Sequence, residues 1–239
     1  MVEEKQSAFR RTHTFKRITR LTFNLIRNQN RVLTFYNIVA PIYGAWATLT
    51  ESRAHSRALE LIRKAHCETV LEIAVGTGNE SAALAADQSM TLCAGIDLSA
   101  PMLKRARKRI ERISRRRALL CQADARALPF QAASFDCLLS CYMMDLLPEH
   151  DIPLVLHEFR RILRPQGLLI LAGMGEQERL VQRVWMALFR RIPAWIGSCR
   201  PIHIGEWLRT CGWHLEYEEH VTQIGLRSEV LAARARPFV

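Results

Sequence analysis

Short apolar runs alternate with helix-like segments through the middle of the chain. The runs are too short for helices and are rich in Val, Leu, Ile and Cys, which favours buried strands. The predicted strands are Val70 to Ala74, Thr91 to Asp97, Ala118 to Gln122, Phe135 to Cys141 and Leu168 to Ala172. The helices predicted between them are Ser81 to Asp87, Ala100 to Arg116 and Ile152 to Leu163. This alternation predicts right-handed crossovers and a doubly wound, mostly parallel sheet in an α/β fold.

The two ends of the chain follow other patterns. After a predicted helix at Ile204 to Cys211, the strand-like runs Trp213 to Val221 and Gln223 to Ala232 are close enough to pair antiparallel. At the front, residues 8–28 place apolar side chains at mostly helical spacing among arginines, which predicts a basic amphipathic helix. A second helical stretch follows Asn30, and Ala54 to His66 is predicted to form a third helix. We therefore expect seven strands, the last two as a hairpin, and an N-terminal helical extension.

The charge of the chain is concentrated in two segments. The net charge is +11, and residues 1–35 hold eight Lys and Arg against two acids, while residues 101–117 hold nine against one. Such patches favour polyanions, either nucleic acid or an anionic membrane surface, although each patch could also be an ordinary solvated helix face.

The composition also limits where the chain works. No apolar run approaches the roughly 18 to 20 residues of a membrane span, and the polar, basic N-terminus is unlike a signal peptide. We therefore expect a cytoplasmic protein. The seven cysteines form no Cys-x-x-Cys pair, which favours reduced, buried thiols over disulfides or zinc, and no metal is predicted.

A glycine loop follows the first predicted strand and indicates a ligand site. Gly76 and Gly78 stand where a parallel sheet binds ligands, and glycine allows positive φ and close approach of a ligand to the backbone. About 20 residues later, Asp97 ends the second strand, where a carboxylate can bind ribose hydroxyls. A dinucleotide dehydrogenase would need a third glycine where this chain has Ser81, and no Gly-Lys-Ser/Thr of a phosphate-binding loop follows.

Five motifs in order then resemble a known family. VLEIAVGTGNE, GIDLSAPML, QADARALPF, SFDCLLSCYMMDLLP and EFRRILRPQGLLIL look like the successive motifs of class I S-adenosylmethionine-dependent methyltransferases. The nearest branch includes the ubiquinone/menaquinone C-methyltransferases and bacterial phospholipid N-methyltransferases, and the resemblance covers about residues 36–175. It implies a Rossmann-like fold, S-adenosyl-L-methionine as cofactor, a basic helical extension and lid at residues 1–50, and a methyltransferase domain at residues 51–239.

The resemblance also implies roles for individual residues. Glu72 would orient the loop and, with Gly76 and Gly78, hold the methionine end of the cofactor, while Asp97 would bind the ribose. The other residues expected around the cofactor are Leu98, Met102, Asp124 and Ala125 at the adenine, Cys141 and Tyr142 beside the reactive methyl, and Tyr36 and Tyr43 of a lid resembling Tyr-Asp-x-x-Ala-x-x-Tyr. The sequence departs from the family at Ala74, which stands at the first glycine of the motif, and at Asn37, which replaces the Asp of the lid. Asp97 and Asp124 could instead be helix-capping or turn residues, and the two tyrosines could be core aromatics.

Asp145 and His150, in the loop after the fourth strand, are the candidate catalytic bases. A base is needed only where the acceptor does not shed its own proton, so the reaction could also proceed without one.

The segment from Val184 to Trp207 is rich in Trp, Phe, Met and Ile with interspersed arginines. In the family it resembles, an insertion here lines the acceptor pocket, although these side chains could also fill core. We therefore expect a lipophilic acceptor, a prenylated quinone precursor or a phospholipid amine, methylated at the inner face of the cytoplasmic membrane with residues 8–28 as the contact. The alternatives are an RNA methyltransferase that uses the basic helix 104–117, for which no RNA-binding module is found, and a non-catalytic cofactor-binding scaffold.

Overall fold

The computed structural model describes residues 49–114, 118–175 and 202–235. The predicted helix at residues 8–28, the lid residues Tyr36 and Tyr43, and most of the aromatic segment at 184–207 lie outside these described residues.

The centre of the molecule is a seven-stranded sheet in the order β3-β2-β1-β4-β5-β7-β6. Its strands are β1 (Thr69–Ile73), β2 (Leu92–Asp97), β3 (Leu119–Gln122), β4 (Phe135–Cys141), β5 (Leu163–Met174), β6 (Trp213–Gln223) and β7 (Leu226–Ala235). β1 to β5 pair in parallel, whereas β7 runs antiparallel to both β5 and β6. This confirms the predicted seven-stranded, doubly wound α/β fold with an antiparallel hairpin at its end.

Helices cover both faces of the sheet. They are α1 (described from residue 49 to residue 64), α2 (Asn79–Ala86), α3 (Ala100–Ile113), α4 (Ile152–Ile162) and α5 (Ile204–Thr210), with two 3-10 turns at Met144–Leu146 and Glu149–Asp151. α3 begins where the Ser99 side chain caps the Met102 N–H at 3.3 Å. Among the described residues, none of the helices has both the length and the apolar character needed to cross a bilayer.

The alternation of side chains along the parallel strands divides the core into two layers. Leu139 of β4 packs with Ile62 of α1 on one face of the sheet, whereas its neighbour Leu138 packs with Phe159 of α4 on the other. Strands buried on both faces require near-continuous apolar runs. The short apolar runs recognised in the sequence therefore correspond to these central strands.

Among the predicted boundaries that differ from the structure, three have a reason in the backbone. β1 stops at Ile73 because Ala74 adopts a left-handed φ of 60°. The strand predicted to begin at Leu168 begins at Leu163, and residues 163–167 form an irregular part of β5, with Gln166 at φ 65°. The hairpin turns at Ile224 and Gly225, both with positive φ, two residues later than the sequence suggested.

Candidate functional site

A cleft opens at the carboxyl ends of β1, β2 and β4, with about 1300 Å³ of empty space, part of it open to solvent. Parallel sheets place ligands at this edge, where the strand order reverses between β1 and β4. The predicted residues that line it are Ala74, Gly76, Asp97, Leu98, Met102, Asp124, Ala125, Cys141 and Tyr142.

Asp97 holds the glycine loop in place. Its carboxylate accepts a hydrogen bond from the Gly76 N–H at 2.9 Å and another from the Ser99 N–H at 2.7 Å. Burial raises the pKa of Asp97, and these backbone N–H groups oppose that rise because they stabilise the charged form. The loop is thus fixed by the residue that is predicted to bind the ribose, and the free lone pairs of that carboxylate can face the cleft.

Gly78 has a packing role that the sequence did not reveal. It has φ 78°, and a Cβ there would lie 2.6 Å from Cα and 2.7 Å from Cβ of Ala106 in α3. Gly78 is not among the residues lining the cleft, so the predicted direct contact with a ligand stays a prediction. The glycine permits the close approach of α2 and α3.

Glu72 lies beneath the loop, where it is buried. The Ser81 hydroxyl, at the position of the missing third glycine, donates a hydrogen bond to its carboxylate. Burial and the nearby Glu80 raise the pKa of Glu72 well above its usual range, which favours the neutral acid. Glu72 therefore ties β1 to α2 from below the cleft, and the predicted hold on a cofactor remains an expectation.

A largely buried ion cluster lines the cleft beside the start of α2, and nothing in the sequence analysis identified it. His55 of α1 contacts the Glu80 carboxylate through Nδ1, and its Nε2 lies 3.4 Å from Glu51 Oε2. Burial disfavours the imidazolium, but the two carboxylates outweigh it and raise the pKa of His55 to about 10. The ring also stacks on Tyr142, with 5.6 Å between centroids. A protonated histidine thus joins α1, α2 and the end of β4 beside the cleft.

On the side of β2 and α3, the lining combines apolar and acidic groups. Leu98 and Met102 present apolar surface, and Asp124 faces the cleft in the isolated bridge after β3. Arg126 binds Asp124, with 2.6 Å between Nη2 and Oδ2. Burial opposes ionisation of Asp124, but this arginine lowers its pKa below the usual value. Asp124 is therefore a charged hydrogen-bond acceptor at the cleft, and Arg126 already occupies part of its carboxylate.

The wall after β4 is largely apolar and carries neutral groups. It consists of Cys141, Tyr142, Met143, Leu146, Leu147 and Pro148. Burial raises the pKa of the Cys141 thiol and of the Tyr142 hydroxyl, which pairs with Ser228 Oγ at 2.6 Å. Both groups therefore stay protonated near neutral pH.

The two candidate bases do not line the cleft. Asp145 is fully buried, and its carboxylate accepts a hydrogen bond from the Met174 N–H at 2.7 Å, which ties the 3-10 turn to the end of β5. His150 is exposed and lies 3.4 Å from Asp151. Their predicted catalytic role is therefore not supported by their positions.

Some cleft residues had no strong sequence signal. Thr77 and Asn79 continue the glycine motif, but Arg126 and Glu80 belong to the site only through tertiary contacts. The spacing of Glu51 and His55, four residues apart on a predicted helix face, was the one available pointer to that cluster.

A group of side chains on the β6–β7 hairpin could geometrically hold a metal ion. Glu218, His220 and Glu229 have ligand atoms within 4.8 Å of one another. Arg209 already supplies a cation to Glu218 at 3.2 Å. We assign no metal to this group.

Comparison with known proteins gives one family and several relatives. Residues 70–167 match the family described as "Methyltransferase domain". A malonyl-[acyl-carrier protein] O-methyltransferase from Methylovorus sp. (strain MP688) is 32% identical over 61% of this chain and 50% of its own length. A demethylmenaquinone methyltransferase from Lactiplantibacillus plantarum is 27% identical over 70% of this chain and 72% of its own. A phosphatidylethanolamine N-methyltransferase from Cereibacter sphaeroides is 33% identical over 44% of this chain and 49% of its own. The chain thus spans about half the length of the first of these relatives.

Solved structures share the fold. Magnesium protoporphyrin IX methyltransferase from Synechocystis PCC 6803, solved with bound SAH, superposes with a TM-score of 0.61 at 17% identity. The match covers 77% of this chain and 82% of that one.

Proposed function

We propose that this chain is a class I S-adenosylmethionine-dependent methyltransferase that methylates a lipophilic small molecule at a membrane surface, a proposal supported by the matching methyltransferase domain and relatives. The acceptor is a prenylated quinone precursor or a phospholipid amine. The enzyme works in the cytoplasm, on the inner face of the cytoplasmic membrane, and residues 8–28 contribute to that contact. Nucleic acid is not its acceptor.

The cleft at the glycine loop is the observation that carries this proposal, because its lining fits the cofactor S-adenosyl-L-methionine. Asp97 would hold the ribose hydroxyls, and Leu98 and Met102 would pack on the adenine beside Asp124. Glu51, Glu80 and the protonated His55 between them line the cleft and together carry one net negative charge, which suits a ligand that carries a positive charge. When bound, this cofactor supplies a methyl group activated by a positively charged sulfur.

The chain's own contribution is alignment and exclusion of water. Alignment of two reactants can be worth about 7 to 11 kcal/mol of barrier. The apolar wall after β4 excludes water from one side of the cleft, and Cys141 and Tyr142 on it are neutral. His55 is held as a cation and so is not a base near neutral pH. We infer that the acceptor loses its proton without a dedicated side chain in this wall.

The nature of the acceptor is supported by the apolar wall and by the relatives. The names of two relatives specify a quinone and a phospholipid acceptor, and a third specifies an acyl-carrier protein. The aromatic segment at 184–207 is suited in composition to a lipophilic acceptor. A quinone or phospholipid resides in the membrane, which accounts for the surface location.

The test is transfer of labelled methyl from the cofactor. The full chain is incubated with methyl-labelled cofactor, a total lipid extract and total RNA, and each fraction is then counted. We expect label in the lipid fraction, in a compound heavier by one methylene unit. Asp97→Asn should reduce the transfer at least ten-fold, because the loop loses a charged anchor. Asp87→Asn, which changes an acid outside the cleft, should leave the rate unchanged.

The other outcomes separate the alternatives. Label in RNA would replace the lipid acceptor with a nucleic-acid one. No label in any fraction, together with cofactor binding that depends on Asp97, would leave a cofactor-binding scaffold. Absence of cofactor binding would contradict the site itself.

A further inference from the structure

The outer face of α3 is a strongly basic surface. The helix buries Met102, Ala106 and Ile110 against the sheet and α2. Of its fourteen residues, six are Lys or Arg and one is an acid. The basic residues are Lys104, Arg105, Arg107, Lys108, Arg109 and Arg112, all exposed except the half-buried Arg109.

Among the described residues, no ion pair joins a cation of α3 to an acid, whereas most of the other Lys and Arg residues are paired. Within residues 49–114, 118–175 and 202–235, the ion pairs of Lys and Arg all involve cations outside α3. These paired cations are Arg57, Arg63, Lys64, Arg126, Arg161, Arg164, Arg209 and Arg234. The positive charge of α3 is therefore available to an external partner.

The rest of the described structure has the opposite charge. Outside α3, the described segments hold 11 Lys and Arg against 18 Asp and Glu, whereas α3 holds six against one. An anionic surface therefore attracts α3 and repels the rest of the described structure. Electrostatics alone would therefore orient the described part of the protein with α3 towards such a surface.

Apolar side chains accompany the basic face and favour lipid as the anion. Leu98, before the start of α3, is 41% exposed, and Ile113, at its end, is 58% exposed. Leu119 on the adjacent edge strand β3 is 60% exposed. Long Lys and Arg side chains around such residues suit the headgroup region of a bilayer. In the described segments, the large hydrophobic side chains that are exposed are all aliphatic, whereas single-stranded nucleic acid is commonly bound by aromatic stacking.

The beginning of α3 connects this face to the cleft. Leu98, Ser99 and Met102 line the cleft, and the basic positions follow from residue 104 onward. A bilayer that lies along α3 would therefore meet the protein next to the cleft. The mouth of the cleft would then lie close to the bilayer on the side of Leu98 and Met102.

We propose that the basic face of α3 binds the surface of a membrane containing anionic phospholipid and so places the cleft beside the lipid. The consequence for the acceptor rests on the proposed function, whereas the binding of lipid does not. This contact lies in the methyltransferase domain and is separate from any contact through residues 8–28.

Vesicle binding by charge-matched variants tests the proposal. The α3 variant combines Lys104→Gln, Lys108→Gln and Arg112→Gln, three exposed cations at one helical stripe. The matched control combines Arg63→Gln, Lys64→Gln and Arg209→Gln, whose side chains are also more than half exposed. Both variants lose the same net charge, and circular dichroism melting establishes that both remain folded.

The full chain and both variants are titrated with phosphatidylcholine vesicles, with and without phosphatidylglycerol. We expect the α3 variant to bind the anionic vesicles about a hundred-fold more weakly, since each basic residue at the surface contributes about five-fold. The control should lose much less, and added salt should weaken binding of the unmodified chain. As an independent variant, Ile113→Ser should also weaken binding, without a change of charge.

The proposal is overturned if both triple variants lose the same amount of vesicle binding, or if the α3 variant keeps full vesicle binding. It is also overturned if, in a parallel titration with single-stranded RNA, the α3 variant loses RNA binding while its vesicle binding is unchanged. Because no cofactor is present, this test is independent of methyl transfer. A chain that binds vesicles through α3 but methylates no lipid would contradict the proposed function alone.

Discussion

Replacing His55 by glutamine should destabilise the protein by an amount that depends on pH. The imidazolium has carboxylates at both ring nitrogens, Glu80 at Nδ1 and Glu51 at Nε2, and these raise its pKa from 6.5 to about 10. Glutamine is neutral at every pH. The variant therefore leaves two acids without the cation between them.

The size and sign of the effect follow from linkage between proton binding and folding. Because the pKa of His55 is raised in the folded state, its contribution is fully present below about pH 6.5 and is lost as pH rises through 10. A shift of this size corresponds to about 5 kcal/mol, and the contribution falls by about 1.4 kcal/mol for each pH unit between these values. At about pH 7.5, roughly 3 kcal/mol should remain.

Urea unfolding of both proteins, followed by circular dichroism at several values between about pH 6.5 and about pH 9.5, measures this difference. The unfolding free energy of the unmodified chain should exceed that of His55→Gln by several kcal/mol at the lower pH, and the gap should close with rising pH. Titrating groups that do not interact with His55 occur in both proteins and cancel. Ser56→Ala, an exposed neighbour on α1, is the matched control and should show no such gap. A gap that does not change with pH would refute the assignment of a protonated His55.

Three further substitutions test the loop and its neighbours. Gly78→Ala should cost about 2 to 4 kcal/mol in urea unfolding, because it combines a left-handed alanine with a clash against Ala106. Gly225 has a similar φ of 74°, but no atom lies within 4 Å of a Cβ added there, so Gly225→Ala should cost only about 1 to 2 kcal/mol. Equal losses of unfolding free energy in the two variants would refute the role of close packing at Gly78. Ala74→Gly should raise the unfolding free energy by up to about 1 kcal/mol, because glycine adopts the φ of 60° at this position without strain. An unfolding free energy below that of the unmodified chain would contradict strain at Ala74. Asp97→Asn should weaken cofactor binding at least ten-fold in calorimetry, and it should also destabilise the fold by about 1 to 3 kcal/mol because the Gly76 N–H loses a charged acceptor. Unchanged cofactor binding would exclude Asp97 from the site.

The parts of the site that follow local rules were predictable from the sequence. β1 and β2 are apolar because both faces of the sheet are covered, and glycines follow β1 because the chain turns there with positive φ. Asp97 was found because the end of a strand places its side chain at the ligand edge. These features depend on short stretches of chain whose conformation is decided by neighbours in sequence.

The parts that depend on long-range packing were not predictable. His55 and Glu80 are 25 residues apart, and only the packing of α1 over α2 brings them together. Asp145 was predicted as a candidate base in a loop, but it lies buried in a 3-10 turn, where its carboxylate accepts a hydrogen bond from the Met174 N–H. The close packing of Gly78 against Ala106 could not be predicted, because Ala106 lies in a different motif of the sequence.

The closeness of α2 and α3 at Gly78 limits how the cleft can adapt to altered ligands. With no room for a single methyl between the two helices, they must move as one block, and the loop before them is fixed to that block through Asp97. Since His55 and Glu80 tie α1 to the same block, any accommodation has to come from the residues after Tyr142, of which Met143, Leu146 and Leu147 line the cleft. Cofactor analogues enlarged at the sugar or base should be rejected, while analogues with a bulkier group on sulfur should be tolerated. The selectivity of this protein is therefore expected to be high for one end of the cofactor and low for the other.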